Sequence, residues 1–177
     1  MLINTVNLTN GSRVFLIDQF FSTELITGLH SICDSFDKNN RSWTKVDWTD
    51  LRYTYTGSDP AYYLLEQEMK APRELGAAVG KELRLSAMTM WVDLPGTGTL
   101  APHVEGDGSY LAQVYVTSKE YPDHGTTIYN DHKQTLFQLP YRDNLGWFFD
   151  TGRTVMHGRA RSVPADLERY TIMLWFS

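Results

Sequence analysis

The sequence predicts a mainly β protein with flanking helices: a jelly roll of two facing sheets, with two N-terminal helices packed on the outer face of one sheet. Three observations point there. Aromatic residues make up 13% of the chain, and such side chains pack well on pleated, half-buried surfaces. From Leu83 onward, short apolar and aromatic runs are separated by turn residues at the spacing of a sandwich or barrel. Before Leu83, apolar residues instead recur at helical spacing in two segments.

Ser22 is placed to cap the first helix, in which Leu25, Leu29, Ile32, Cys33 and Phe36 fall on one face and Asn39-Asn40 offers a polar stop. Asp59 and Pro60 form an N-cap and first turn for the second, where Leu64, Leu65 and Met69 share a face. Pro72 is expected to kink or restart that helix before about Gly80. Between the helices, the segment 41–58 (RSWTKVDWTDLRYTYTGS) reads either as a lid or peptide groove or as a strand pair that extends a sheet. Strands are expected near 84–94, 100–104, 109–118, 125–130, 134–138, 145–150, 153–158 and 168–176. Two facing sheets built from them would also protect exposed strand edges. The glycine-rich stretches Asp93 to Thr99 and Val104 to Ser109 read as turns, since neither has the Lys-Ser/Thr ending or the following helix of a phosphate loop. No repeat, low-complexity tract or Pro/Ser-rich linker divides the chain, so 1–177 reads as one domain, with helical support over 1–82 and a jelly-roll core over 83–177.

Composition excludes several classes. The 16 Lys and Arg are scattered against 21 Asp and Glu, for a net charge of -5, so no basic stripe is available for nucleic acid. A single cysteine rules out an internal disulfide framework, and the helical apolar setting of Cys33 makes it a core residue rather than a nucleophile. No window approaches the roughly 20 apolar residues of a membrane span, and residues 1–10 lack a basic leader pattern, which leads to the expectation of a soluble, cytoplasmic protein.

The chemistry centres on His103 and Glu105. In an extended segment, side chains at i and i+2 point to the same face roughly 6.6 Å apart, so an imidazole and a carboxylate can grip one ion. His157, ending the apolar run 153–157 just before Gly158, is the best candidate for a third ligand. Two histidines and one carboxylate on one face of a metal leave positions open, the arrangement of non-haem Fe(II) oxygenases. Asp107 reads either as a substitute ligand or, between Gly106 and Gly108, as a turn residue. Arg169 opens the last apolar strand and points inward or outward by parity alone. Inward, it would need an anionic partner, for which a dicarboxylate held in a bidentate fork qualifies. Outward, it would pair with Glu168 or Asp166 in solvent. His30, His124 and His132 read as surface or capping groups, and Tyr110, Trp147 and Trp175 as core, with Trp175 a secondary candidate for shaping a pocket. No G-x-S-x-G elbow supports Ser-His-Asp hydrolysis.

The stretch from Met88 to Phe176 resembles the catalytic core of the 2-oxoglutarate- and Fe(II)-dependent prolyl hydroxylases, which share a double-stranded β-helix. The matching pieces are PGTGTLAPHVEGDGSYLAQVYVT, GTTIYN, NLGWFF, VMHG and RYTIMLWF, in that order. The resemblance implies that His103, Glu105 and His157 bind iron, that Arg169 binds the distal carboxylate of 2-oxoglutarate, and that Tyr115 assists it. It implies a dioxygenase that takes 2-oxoglutarate and O2 as cosubstrates, with ascorbate a further candidate cofactor. Oxidative decarboxylation to succinate and CO2 would be coupled to hydroxylation of a C–H bond. A peptidyl proline is the favoured substrate, and a free amino acid or other small metabolite the alternative. Glu105 departs from the family's usual Asp, which keeps open a catalytically inactive β-helix binding module. A cupin-type metalloenzyme would share the barrel, but the His-x-His followed by Glu is absent.

Overall fold

A computed structural model gives the fold and describes residues 2–47, 49, 51–105, 110–151 and 155–177, with Leu2 as backbone only. Strands β1 (Leu2–Asn7) and β2 (Arg13–Asp18) precede helix α1 (Thr23–Asp34), and β3 (Trp43–Lys45) and β4 (Arg52–Tyr55) precede α2 (Pro60–Met69) and α3 (Arg73–Val79). Then follow β5 (Leu85–Asp93), β6 (Leu100–His103), β7 (Tyr110–Val116), β8 (Thr127–Tyr129), β9 (Thr135–Gln138), β10 (Gly146–Asp150), β11 (Met156–Arg159) and β12 (Arg169–Phe176).

Eight strands form one sheet in the order β1-β2-β10-β7-β12-β5-β4-β3, and four form a second in the order β6-β11-β8-β9. Every named pairing is antiparallel. Parity along β12 and β7 sorts the core into two layers. Ile172, Leu174, Phe176, Val114 and Val116 pack with Leu25, Leu29, Ile32, Leu65 and Leu75 of the helices. Met173, Leu111 and Tyr115 join Trp147, Phe149, Ile128 and Val155 in the other layer, between the sheets. Burial on both faces is why β7 and β12 are near-continuous apolar runs.

The helices form where their caps allow. The Ser22 hydroxyl accepts from the Leu25 N–H at 3.2 Å, and the Asp59 carboxylate accepts from the Ala61 N–H at 2.8 Å. Pro72 separates α2 from α3, so the second predicted helix is a broken pair, closed by Gly80 in the left-handed region at φ 71°. Cys33 is buried in the helical layer, where burial, then Asp34 and Asp143, push its thiol pKa well up and keep it unreactive.

One expectation needs correction. Residues 1–82 are not only helical support, because β1 to β4 all belong to the large sheet. Strand β2 escaped notice because its partner β10 lies about 130 residues away; Val14 faces one layer of the core, and Phe15 and Ile17 face the other. In the segment 41–58, the strand-pair alternative is the one observed: β3 pairs β4, and β4 pairs β5. Trp48 and Asp50 of that segment lie outside the described residues, as do Asp107 with its flanking glycines and the expected strand start at 153–154. Among the described residues, no helix is long and apolar enough to cross a membrane.

Candidate metal centre

His103 ends β6 and His157 sits in β11, and the antiparallel register places the two directly opposite each other. That approach requires Gly158: a Cβ there would lie 2.5 Å from the Leu100 carbonyl oxygen and 3.0 Å from that of Ala101. The imidazole centroids are 4.4 Å apart. Glu105, just past β6, brings Oε1 to 3.6 Å from His103 Nε2 and 3.8 Å from His157 Nε2. The three donor atoms lie within 4.8 Å of one another, the one cluster of three metal-ligating groups among the described residues. Nitrogen and oxygen ligands sit about 2.0–2.2 Å from a divalent ion, so three on one face of it stand about 3 Å apart, and Glu105 Oε1 would close by roughly 0.6–0.8 Å toward the imidazoles to share one ion with them.

Both imidazoles are aimed by the backbone. His103 Nδ1 donates to the Ala101 carbonyl at 2.9 Å, and His157 Nδ1 donates to the Val155 carbonyl at 3.1 Å. Carbonyl oxygens only accept, so each Nδ1 carries its proton and each Nε2 turns toward Glu105, the tautomer a metal ligand needs. Burial, then the nearby charge of His103, pulls the His157 pKa down to about 4, so the ring is neutral at pH 7. The Glu105 carboxylate raises that of His103. His157 is buried against the stacked rings of Trp147 and Phe149, at 5.1 and 5.3 Å, whereas His103 is partly open at the mouth.

A cavity of about 200 Å³ opens onto this cluster. Two larger hollows, of about 460 and 500 Å³, border α1 and the α2–α3 junction and hold no such donor set among the described residues.

No protein-family profile matches the chain, and no curated protein matches it by sequence. Solved structures do match it in shape. An oxidoreductase of the 2OG-Fe(II) oxygenase family from Burkholderia pseudomallei superposes with a TM-score of 0.65 at 8% identity, over 93% of this chain and 84% of that one. The fold is that of the 2-oxoglutarate/Fe(II) oxygenases. HygX from Streptomyces hygroscopicus, solved with nickel, 2-oxoglutarate and hygromycin B, gives 0.62 at 13% identity, over 93% and 82% of the two chains. A Trichoplax adhaerens prolyl hydroxylase bound to a hypoxia-inducible-factor peptide gives 0.63 at 11%, over 95% and 84%.

Within this oxygenase fold, the parity question for Arg169 resolves inward. It lies in the same layer as Met173, is only 3% exposed and lines the cavity, so the solvated pairing with Glu168 or Asp166 does not form. Its Nη1 donates to Thr171 Oγ1 at 2.9 Å and its Nε to the His124 carbonyl at 3.3 Å. Tyr115 is fully buried, and its ring centroid lies 5.2 Å from the Arg169 guanidinium. The Tyr115 hydroxyl donates to Thr126 Oγ1, which donates to Gln113 Oε1, an acceptor shared with Trp147 Nε1. Thr126 and Gln113, not Tyr115, form the cavity wall. Trp175 does not line it.

Sequence reasoning did not single out two charged groups of this wall, Arg52 and Arg159, or the fully buried Asp93 behind them. In the large sheet, Asp93 of β5 stands directly opposite Arg52 of β4 on one side and Arg169 of β12 on the other. Arg52 grips the carboxylate through Nε and Nη2 at 2.5 and 2.9 Å, and Arg159 reaches it from the small sheet at 2.6 Å. Arg169 Nη1 is 3.5 Å away. Burial works to raise the Asp93 pKa, but the hydrogen bond and charge of Arg52, with the charges of Arg169 and Arg159, outweigh it and hold the carboxyl below its ordinary range. Burial, then the charge of Arg169, lowers the pKa of Arg159. The spacing rule applied to His103 and Glu105 would have found Arg159, two residues beyond His157.

The remaining histidines lie away from the cluster. His30 Nε2 lies 3.0 Å from Asp143 and is part-buried, and His132 stands in an exposed turn. His124 is less exposed than expected: its Nδ1 is buried and meets no partner among the described residues.

Proposed function

We propose that this chain is a 2-oxoglutarate- and Fe(II)-dependent dioxygenase, built on a double-stranded β-helix, that hydroxylates a C–H bond. The observation that carries the reading is the convergence of two Nε2 atoms and one carboxylate, already tautomerically set, on a cavity whose wall holds a buried, inward Arg169. On this reading His103, Glu105 and His157 would hold Fe(II), and a site of only three protein ligands would leave the metal open to cosubstrates. Arg169 pairs with the far carboxylate of 2-oxoglutarate, and Tyr115 supports that guanidinium from beneath. The bound metal supplies O2 activation coupled to oxidative decarboxylation of 2-oxoglutarate to succinate and CO2. The apolar wall of Trp147, Phe149 and Met173 keeps water from the buried side of the site.

The resemblance favours a peptidyl proline as substrate. A small acidic molecule is the second reading, favoured by the guanidinium-rich wall. The test is succinate formation that requires both Fe(II) and 2-oxoglutarate, with ascorbate present as reductant, followed by mass spectrometry of proline peptides and small acids for one added oxygen atom. Absence of metal-dependent succinate from a protein that binds Fe(II) would refute it.

Two variants sharpen the assignment. Arg169→Ala is expected to raise the 2-oxoglutarate requirement by roughly 30-fold or more, the loss that follows truncation of one partner of a buried, hydrogen-bonded charge pair. An unchanged requirement would remove Arg169 from that role. Glu105→Asp is expected to retain or improve Fe(II) binding in an anaerobic titration, and complete loss would show that the site is built around the longer side chain.

A further inference from the structure

The cavity wall holds more cationic charge than the proposed cosubstrate needs. Asp93 is one carboxylate, and Arg52 already grips both of its oxygens. Arg159 and Arg169 share what is left of it, and both are nine-tenths or more buried. Isolated buried charges cost several kcal/mol each, so two such guanidinium groups in one wall call for anions beyond Asp93. One carboxylate of 2-oxoglutarate on Arg169 would answer one of them. Arg159 stands on the opposite sheet, on the same strand as His157 and two residues from it, and its remaining hydrogen bond goes to the Gly98 carbonyl at 2.5 Å.

Unpaired donors point the same way. Arg159 Nε and Trp91 Nε1 are buried without an acceptor among the described residues, and both residues line the cavity. Trp91 is two residues before Asp93 on β5, and its ring stacks under the Arg52 guanidinium at 4.3 Å. Buried donors without acceptors are uncommon in native structures, and a carboxylate supplies up to four lone-pair sites. Beyond this corner, Leu100 and Val104 stand exposed on either side of His103 and offer an apolar rim.

We propose that Arg159, with Trp91 beside it, receives a carboxylate of the primary substrate, and that this protein acts on a carboxylate-bearing molecule with its reactive carbon held toward His103 and His157. This rests on the dioxygenase reading and names the substrate class for it. The carboxylate belongs either to a free small acid or to the C-terminus or acidic side chain of a peptide. The two sources share the anchor and differ in what lies over the apolar rim.

The test uses the full chain loaded with Mn(II) and 2-oxoglutarate, a combination that binds without turnover. Acetate, propionate and hexanoate, then a short peptide ending in proline with a free carboxylate, are titrated against the matching amides, with binding read by tryptophan fluorescence and calorimetry. The acids are expected to bind at least about tenfold more tightly than their amides, the difference made by one charge-assisted hydrogen bond. Arg159→Gln is expected to abolish that preference, and Arg159→Lys, which keeps the charge, to retain part of it. Stronger binding of hexanoate than acetate supports a free acid over the rim, and stronger binding of the peptide acid supports a peptide terminus. Equal binding of acids and amides by the wild-type protein overturns the proposal, whether or not the variants fold. A loss of 2-oxoglutarate affinity in Arg159→Gln as large as in Arg169→Ala also overturns it, because Arg159 would then share the cosubstrate's carboxylate. If Mn(II) and 2-oxoglutarate fail to bind at all, the dioxygenase reading falls. The acid-over-amide comparison on the metal-free chain still decides the role of Arg159.

Discussion

Replacing His157 by alanine is expected to abolish Fe(II)-dependent succinate formation and to weaken Fe(II) binding by more than about 100-fold, the upper end of what loss of a mere supporting contact to a ligand costs. No other described His, Cys, Asp or Glu stands within reach to take its place. His103 and Glu105 would remain as a two-point site, open to water on the mouth side. The protein should still fold, because the lost ring is neutral at pH 7 and removing it strands no charge; what disappears is packing against Trp147 and Phe149. Circular dichroism checks the fold, and anaerobic Fe(II) titration with succinate analysis checks the chemistry. Full turnover in a folded His157→Ala protein would remove this residue from the site.

Asp93→Asn is expected to be the most destabilising single change around the cavity, by about 3–5 kcal/mol, the usual result of deleting one partner of a buried ion pair. Three guanidinium groups would lose their common counter-charge at once. Urea denaturation at pH 7 measures it, and a loss below about 1 kcal/mol would show that other groups neutralise the arginines. The pH dependence has a definite sign. The folded carboxyl titrates below the unfolded value of about 3.9, so its stabilisation is fully present above that pH and is lost as pH falls through the folded pKa. The gap between wild type and Asp93→Asn should therefore be largest near neutrality and shrink in acid.

The elements most legible in sequence were those whose burial is local or complete. The two-sided burial of β7 and β12 wrote itself as unbroken apolar runs, and α1 and α2 announced themselves through Ser22, Asp59 and Pro60. Strands β1 and β2 did not, because their place in the sheet depends on pairing with β10, far along the chain. The same division holds in the site. His103 and Glu105 are neighbours in sequence and follow from spacing, whereas His157 stood out among five histidines by its place at the end of an apolar run just before Gly158. The direction of Arg169 was undecidable until the register of β12 on β7 and β5 fixed its face. Asp93 lay hidden at the start of a glycine-rich turn, since nothing local marks a carboxylate whose partners come from residues 52, 159 and 169.

Both imidazoles are steered by carbonyls two residues back along their own strands. A side-chain tether can be deleted by one substitution, but replacing Ala101 or Val155 changes the side chain and leaves the oxygen where it was. The orientation of the donors is thus a property of the path of β6 and β11, and the weak point shifts to whatever holds those two backbones together. That is Gly158, where even a single added methyl would pry the strands apart and swing one ring off its mark. The position on which the whole centre is most exposed to damage is one with no side chain at all.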